Sequence, residues 1–309
     1  MHVLNLATDG RSAIFAQQVE VLQSQGVETT TLEVPGERRV TDEGISSRSL
    51  LDYVRLYPRA LRHSFGSYDL VHANYGLTLP AALAQPSLPV VVTLWGSDLL
   101  GRYGTPIGWL ARRADAVIVR TAEMAEVVGT AAHVIPHGVN LRRFRPLPRR
   151  DARRAVGWDR DAVHVLFPYP ISRDVKDYDR AKRVASSVDE RLDRPVRLQT
   201  LSNVPHGRMP LYYNAADALL LTSKREGSPN SVKEALACNL PVVATAVGDV
   251  RDRVRDVDPS HVGTTDQELV EGLEDVIARG PPENGRAAVE PLSLDRMGAR
   301  LREIYESVA

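Results

Sequence analysis

The 309-residue chain reads as two α/β domains, each carrying a parallel sheet with helical crossovers. Three observations predict this. Short apolar runs of strand length alternate with helix-period segments from one end to the other. A stretch rich in Arg and Pro, residues 142–150, has neither period and breaks the alternation near the middle. The length is what two domains of ordinary size require.

Residues 3–7 open the first domain as an apolar strand, followed by the polar turn Thr8-Asp9-Gly10-Arg11-Ser12. Phe15, Val19 and Leu22 then fall at helical spacing, Gly26 ends that helix, and residues 27–34 form the next strand. Further strands are expected at 70–73, 90–94, 116–120 and 132–136, with a helix at 78–84. Beyond 142–150, read as an interdomain linker, the alternation restarts. Strands are expected at 163–167, 196–201, 218–223 and 241–245, and helices at 178–192, 209–215 and 230–238. An amphipathic helix over 294–308 follows, with Met297, Leu301, Ile304 and Tyr305 on one face. The expected division is residues 1–145, residues 146–292 and a last helical segment, residues 293–309.

Composition excludes several functions. The 39 basic and 39 acidic side chains cancel, which argues against a dedicated nucleic-acid binder. A hydrophobic fraction of 43% is too high for a disordered chain. The single cysteine, Cys238, excludes a disulfide framework and a Cys-based zinc site, and is expected to be a small core residue. No run is long enough to span a bilayer, and the first residues lack the basic region and cleavage site of a leader, so a cytoplasmic location is expected. Asp256-Val257-Asp258 precedes Pro259 outside any strand end and reads as a solvated turn, with no metal implied.

The chemistry concentrates in residues 218–245. This stretch reads as a buried strand, a loop, a helix and a second buried strand. Ser228 suits the N-cap and Pro229 the first helical position, while Asn239 and Pro241 end the helix. The backbone N–H groups of Ser228, Asn230, Ser231 and Val232 then form an anion site, phosphate above all. Glu226 before the helix and Glu234 inside it are placed to accept hydrogen bonds from sugar hydroxyls. A phosphate flanked by polyols describes a nucleotide sugar.

This segment resembles glycosyltransferase family 4, whose E-x7-E motif matches Glu226 and Glu234, with A-x-A-C-x-x-P-V-V-A-T after it. Val134-Ile135-Pro136-His137-Gly138-Val139-Asn140 resembles the family's I-P-N-G-V-D segment. Thr93-Leu94-Trp95-Gly96-Ser97-Asp98 resembles T-x-H-G-x-D, and His72-Ala73-Asn74-Tyr75-Gly76 resembles H-A-H-Y-G. Residues 167–177 stand in the place of G-R-x-x-x-K-G. The resemblance implies a GT-B fold: two Rossmann-like domains facing a cleft, with the last helix crossing back to the N-terminal domain. It implies a retaining, metal-independent transfer from a nucleoside diphosphate sugar, expected to be UDP-linked, and no cofactor. The acceptor would be a glycan, a lipid-linked sugar or a small metabolite.

By the same resemblance Arg173 and Lys176 meet the diphosphate, and Glu226 and Gly227 the donor sugar, with Pro229 and its neighbours. Glu234 holds the ribose, and Asn203 and Val204 edge the base. Gly10, Arg11, His72, Asn74, Tyr75, Trp95, Gly96, Asp98, His137 and Gly138 fall on the acceptor side. The sequence departs from the pattern in three places: Pro168-Tyr169-Pro170 replaces the Gly opening, the first Gly-rich loop is reduced to Gly10, and Trp95 stands where the family has His. These departures motivate a non-catalytic nucleotide-sugar-binding subunit as one alternative, a nucleotide-sugar epimerase being another. Residues 46–63, from Ser46 to His63, place Arg48, Arg55, Arg59 and Arg62 near one helical face, which suggests peripheral contact with an anionic membrane.

Overall fold

The computed structural model describes residues 1–36, 48–99 and 101–309, with backbone alone at 39–41 and 44–46. The chain divides into two compact units, Met1–His137 with Leu294–Ala309, and Gly138–Ser293.

The first unit contains strands β1 (His2–Ala7), β2 (Glu28–Glu33), β3 (Arg39–Thr41), β4 (Gly44–Ser46), β5 (Leu70–Ala73), β6 (Val90–Thr93), β7 (Ala116–Val119) and β8 (His133–Val134). Its helices are α1 (Ala13–Ser24), α2 (Leu50–Val54), α3 (Tyr57–Ser64), α4 (Leu79–Leu83), α5 (Gly96–Leu99), α6 (Gly104–Ala111) and α7 (Ala122–Val128). Six strands form a parallel sheet in the order β2-β1-β5-β6-β7-β8, and β3 and β4 pair as a separate antiparallel hairpin. The second unit contains β9 (Val163–Phe167), β10 (Val196–Thr200), β11 (Ala218–Leu221), β12 (Val242–Thr245) and β13 (His261–Gly263), parallel in the order β10-β9-β11-β12-β13. Its helices are α8 (Arg149–Val156), α9 (Tyr178–Asp189), α10 (Met209–Ala215), α11 (Asn230–Ala237), α12 (Val250–Val254), α13 (Asp266–Arg279) and α14 (Gly285–Val289).

Both sheets are covered on both faces, which is why their strands read as unbroken apolar runs. In the first unit Leu4, Leu6, Val71 and Val92 point into one core, and Val3, Leu70, Val91 and Ile118 into the other. The final helix, α15 (Leu294–Val308), closes that second core with Met297, Leu301, Ile304 and Tyr305. Gly298 lets it approach α1 closely, since a Cβ there would lie 3.0 Å from Val21.

Two expectations need correction. The division falls at His137/Gly138, ahead of the expected 145/146. Val139 donates its N–H to Leu292 O at 2.8 Å, and Phe144 is buried in the second unit's core. Residues 142–150 are not a free linker. Leu147 N–H is held by Asn214 Oδ1 at 2.7 Å, and Arg149 and Arg153 of α8 both pair with Asp217. An arginine-rich run looks unstructured in sequence because its counter-ion lies on a distant turn.

Candidate functional site

In each sheet the chain lays down two strands on one side and then returns across the first. That reversal opens a space beyond the strands' carboxyl ends, where ligands bind in open α/β sheets. In the second unit the reversal lies between β9 and β11, and the loops leaving those strands carry most of the predicted donor residues.

The two loops are tied together. Thr222 Oγ1 donates to Lys176 O and Asp177 O at 3.0 and 2.9 Å, and Lys224 N–H to Val175 O at 2.9 Å. This fixes the backbone of Lys176, whose side chain is buried and whose ammonium pairs with Glu226 Oε1. Ser223 Oγ donates to the same oxygen at 2.7 Å. The Lys176 ammonium also sits 3.8 Å from the centroid of the Tyr169 ring, with the Arg173 guanidinium 5.7 Å from it. Burial pulls the Lys176 pKa down, and the Glu226 charge opposes that pull. Arg173 is exposed.

Tyr169 joins this cluster to α11, because its hydroxyl shares a hydrogen bond with Ser231 Oγ. Burial first, then the charges of Glu226 and Glu234, push its phenol well above the ordinary value. The helix starts at Asn230, as expected, but Pro229 and not Ser228 takes the cap position. Ser228 accepts from Lys233 Nζ at 3.3 Å, and the helix has no side-chain cap. Asn239 ends it in the left-handed conformation, φ 53°. Gly227 lies beside open space, whereas Gly248 is required where it stands: at φ +54° a Cβ there would fall 2.1 Å from Gly227 O.

Glu234 has a second set of partners. His206 Nε2 lies 2.8 Å from Oε1, and Tyr213 OH donates to Oε2 at 2.9 Å. Phe144 packs its ring 5.3 Å from His206 and 5.9 Å from Tyr213. Asn203, at φ 56°, and Val204 lie in the loop that carries His206, the former exposed and the latter half-buried.

In the first unit the reversal lies between β1 and β5, and a cavity of about 520 Å³ opens there. Thr8, Asp9, Asn74, Tyr75, Trp95 and Arg48 are among its lining residues. Trp95 is locked on two sides: its indole N–H donates to Asn74 O at 2.9 Å, and the buried Arg120 guanidinium lies 3.8 Å from its ring centroid. Asp98 is buried and accepts the N–H groups of Gly76 and Trp95, each at 2.6 Å. It therefore clamps the loops after β5 and β6, and burial pushes its carboxyl up to about 7 against the pull of those bonds.

His72 is a correction: it is fully buried and is not among the residues that line this cavity. Its Nδ1 and Nε2 meet Tyr305 OH at 2.7 Å and Thr93 Oγ1 at 2.8 Å, and burial pulls its pKa to about 3. It joins the sheet to α15. Asn74 is buried between Gln18 and Asn5, and Tyr75 OH lies 3.4 Å from Ser97 Oγ. Gly10 and Arg11 occupy the β1–α1 turn, where a Cβ on Gly10 would meet the Glu33 carboxylate and Arg11 is exposed. Gly96 begins α5, His137 is buried with its ring 6.3 Å from that of Trp95, and Gly138 starts the second unit.

Sequence reasoning missed Tyr169, Ser223, His206, Tyr213 and Lys233. Scarcity of lysine was a usable signal for Lys233, which is 1% exposed. Cys238 is buried as expected, its thiol pushed up to about 12. Among the described residues no group of three or more His, Cys, Asp or Glu is gathered to hold a metal, and no helix is long and apolar enough to cross a membrane.

Two family descriptions match the chain: "Glycosyltransferase Family 4" over residues 14–143 and "Glycosyl transferases group 1" over residues 182–287. The chain belongs to glycosyltransferase family 4. One relative of this glycosyltransferase-family chain is D-inositol 3-phosphate glycosyltransferase 1 of Catenulispora acidiphila, 27% identical over 275 residues, covering 71% of this chain and 65% of the relative. The chain spans between 54% and 65% of the length of this and the next curated relatives. A sucrose-phosphate synthase from Thermosynechococcus elongatus superposes with a TM-score of 0.76 at 18% identity over 99% of both chains. An Anabaena protein solved in complex with UDP and glucose superposes with a TM-score of 0.69 at 15% identity, again over 99% of both chains. These structures share the GT-B fold with the family 4 chain.

Proposed function

We propose that this chain transfers a sugar from a UDP-linked donor to an acceptor hydroxyl, with retention at the anomeric carbon and without a metal. The observation that supports it most is the cationic cluster at the β9/β11 reversal, Lys176 buried beside Tyr169 with Arg173 next to it. As the bond from the anomeric carbon to the diphosphate breaks, negative charge grows on the diphosphate. Preorganised cations stabilise that charge most in the transition state. The acceptor oxygen bonds to the anomeric carbon on the face the diphosphate leaves, and its proton passes to a diphosphate oxygen.

Glu226 takes both of its protein bonds on Oε1, which leaves Oε2 for donor-sugar hydroxyls. Glu234 receives the ribose, whose hydroxyls replace His206, 30% exposed, while the buried Tyr213 stays in place. The N–H groups at the start of α11 and the Gly227 backbone meet the diphosphate and sugar, and Asn203 and Val204 edge the base. The acceptor binds the first unit's cavity, with Trp95 as a stacking platform for a sugar ring. Relatives named for D-inositol 3-phosphate make a phosphorylated polyol the first acceptor to try.

A thermal-shift panel of UDP, GDP, ADP and TDP, with and without EDTA, on wild type and Glu234→Ala tests the donor site. UDP should raise the wild-type Tm regardless of EDTA and leave Glu234→Ala unmoved. No shift with any diphosphate, or an equal shift in the variant, refutes the donor assignment. Binding without turnover would favour a non-catalytic subunit, and conversion of donor without acceptor an epimerase.

A further inference from the structure

Lys233 is one of four lysines in the chain, and it is buried. It stands in the first turn of α11, the end at which a helix carries positive partial charge. That turn holds no acidic side chain, and the helix has no side-chain cap. The two acids nearest in sequence are engaged by other groups, Glu226 by Lys176 and Ser223, and Glu234 by His206 and Tyr213. Packing alone is met by an uncharged side chain. A buried ammonium beside the free N–H groups of a helix start is a place for an anion.

The ammonium donates to Ser228 Oγ at 3.3 Å, in the loop that leads into the helix. The backbone of that loop is held as well, because Gly227 O accepts the N–H of Asp249 at 3.0 Å and Gly248 packs against it. Lysine has protons to give and no lone pair, so Ser228 Oγ accepts and its own O–H is left to donate. Among the described residues that O–H makes no hydrogen bond of its own. Ser231, in the same turn as Lys233, is joined through Tyr169 to the Lys176 ammonium.

We infer that Lys233 is a positioning residue for the donor's diphosphate, and that it acts through Ser228. A serine hydroxyl without a partner donates or accepts equally well. The ammonium removes that choice: it takes the oxygen's lone pair, polarises the hydroxyl and turns the proton toward a diphosphate oxygen, beside the N–H groups of α11. Lys233 itself stays buried behind the serine. The inference rests on the proposed donor reading and adds to it the pair Lys233–Ser228.

The test titrates the full chain with UDP and with uridine, which has the base and ribose without the diphosphate, and takes affinities from the rise of Tm with ligand concentration. Wild type should bind UDP the more tightly. Ser228→Ala and Lys233→Met should each weaken UDP about tenfold and leave uridine unchanged, the loss expected for one hydrogen bond to a charged group. The double variant should also lose about tenfold, because the two side chains form one relay. Ser228→Thr keeps the hydroxyl and should bind UDP within about threefold of wild type. Glu234→Ala, which alters the ribose contact, should weaken both ligands. Ser228 is half-buried, so Ser228→Ala keeps the test decisive even where Lys233→Met does not fold. The inference is overturned if Ser228→Ala binds UDP as wild type does, or if UDP and uridine weaken together in that variant. A loss of about a hundredfold in the double variant also overturns it, since the two groups would then act independently. If wild type binds no UDP, the donor reading falls and this inference with it. If Glu234→Ala loses UDP and Ser228→Ala does not, this inference alone falls.

Discussion

Replacing Lys176 by Met separates two effects of its ammonium. The side chain is 6% exposed, paired with Glu226 and set against the Tyr169 ring. Met keeps most of the stem's packing and removes the charge. Glu226 is then left 15% exposed, with Ser223 as its hydrogen-bond donor. Removing one partner of a buried pair costs about 3–5 kcal/mol, and the Ser223 bond places this case near the lower end. In a unit of about 150–250 residues, a loss of about 3 kcal/mol lowers Tm by roughly 6–12 °C. Adding Glu226→Gln removes the stranded charge, so the double variant should recover most of that loss. Turnover should not recover. Without the Lys176 ammonium beneath the leaving diphosphate, and with Arg173 alone there, kcat falls about 10²–10³-fold in the Lys176→Met and double variants alike. Thermal unfolding of the four proteins and turnover of the donor found by thermal shift make the assay. Should Lys176→Met melt at the wild-type temperature, the pair is not the energetic unit its burial implies. Should the double variant regain turnover, Lys176 serves Glu226 and not the diphosphate.

Acid sensitivity should split between His72 and Asp98. His72 has its pKa near 3 in the fold against 6.5 in the free side chain, so the unfolded chain binds the proton first. Its contribution is lost as pH falls from about 6.5 to about 3, amounting to about 2 kcal/mol by pH 5. Asp98 runs the other way: raised from 3.8 to about 7, it keeps its proton in the fold, and its contribution is lost as pH rises through that window. The stability difference between wild type and His72→Gln should therefore grow with pH from about 4 to about 7, and that for Asp98→Asn should shrink. Parallel profiles for the two variants would contradict both assignments. Gly248→Ala should cost about 1–3 kcal/mol and weaken UDP binding, because its Cβ strikes the Gly227 carbonyl. Gly157→Ala, at φ +73° with open space around it, should cost about 1–2 kcal/mol and leave UDP binding unchanged.

Much of the fold was legible because its signals are local. The apolar runs at 3–7, 70–73 and 163–167 became strands β1, β5 and β9, and the periodic segment at 294–308 became α15 with all four predicted side chains buried. The motif residues around Glu226 and Glu234 were legible for the same reason, since strand, loop and helix follow one another in the chain. Residues 142–150 and Ser228 were misread because their partners, Asp217, Asn214 and Lys233, depend on packing that composition does not express.

Sequence alone determined the class of the protein: two parallel α/β sheets, a family, and the segment where a nucleotide sugar is expected. Tertiary structure decided which polar groups meet. Lys176 finds Glu226 fifty residues away because β11 returns beside β9, and His72 finds Tyr305 because α15 comes back to the first sheet. It also turned Arg48 toward a cavity and left Leu51 and Phe65 outside. Periodicity and capping act over a few residues and are written in order along the chain. The partner of a buried charge depends on strand order and crossover, which bring distant segments together only after the cores have formed.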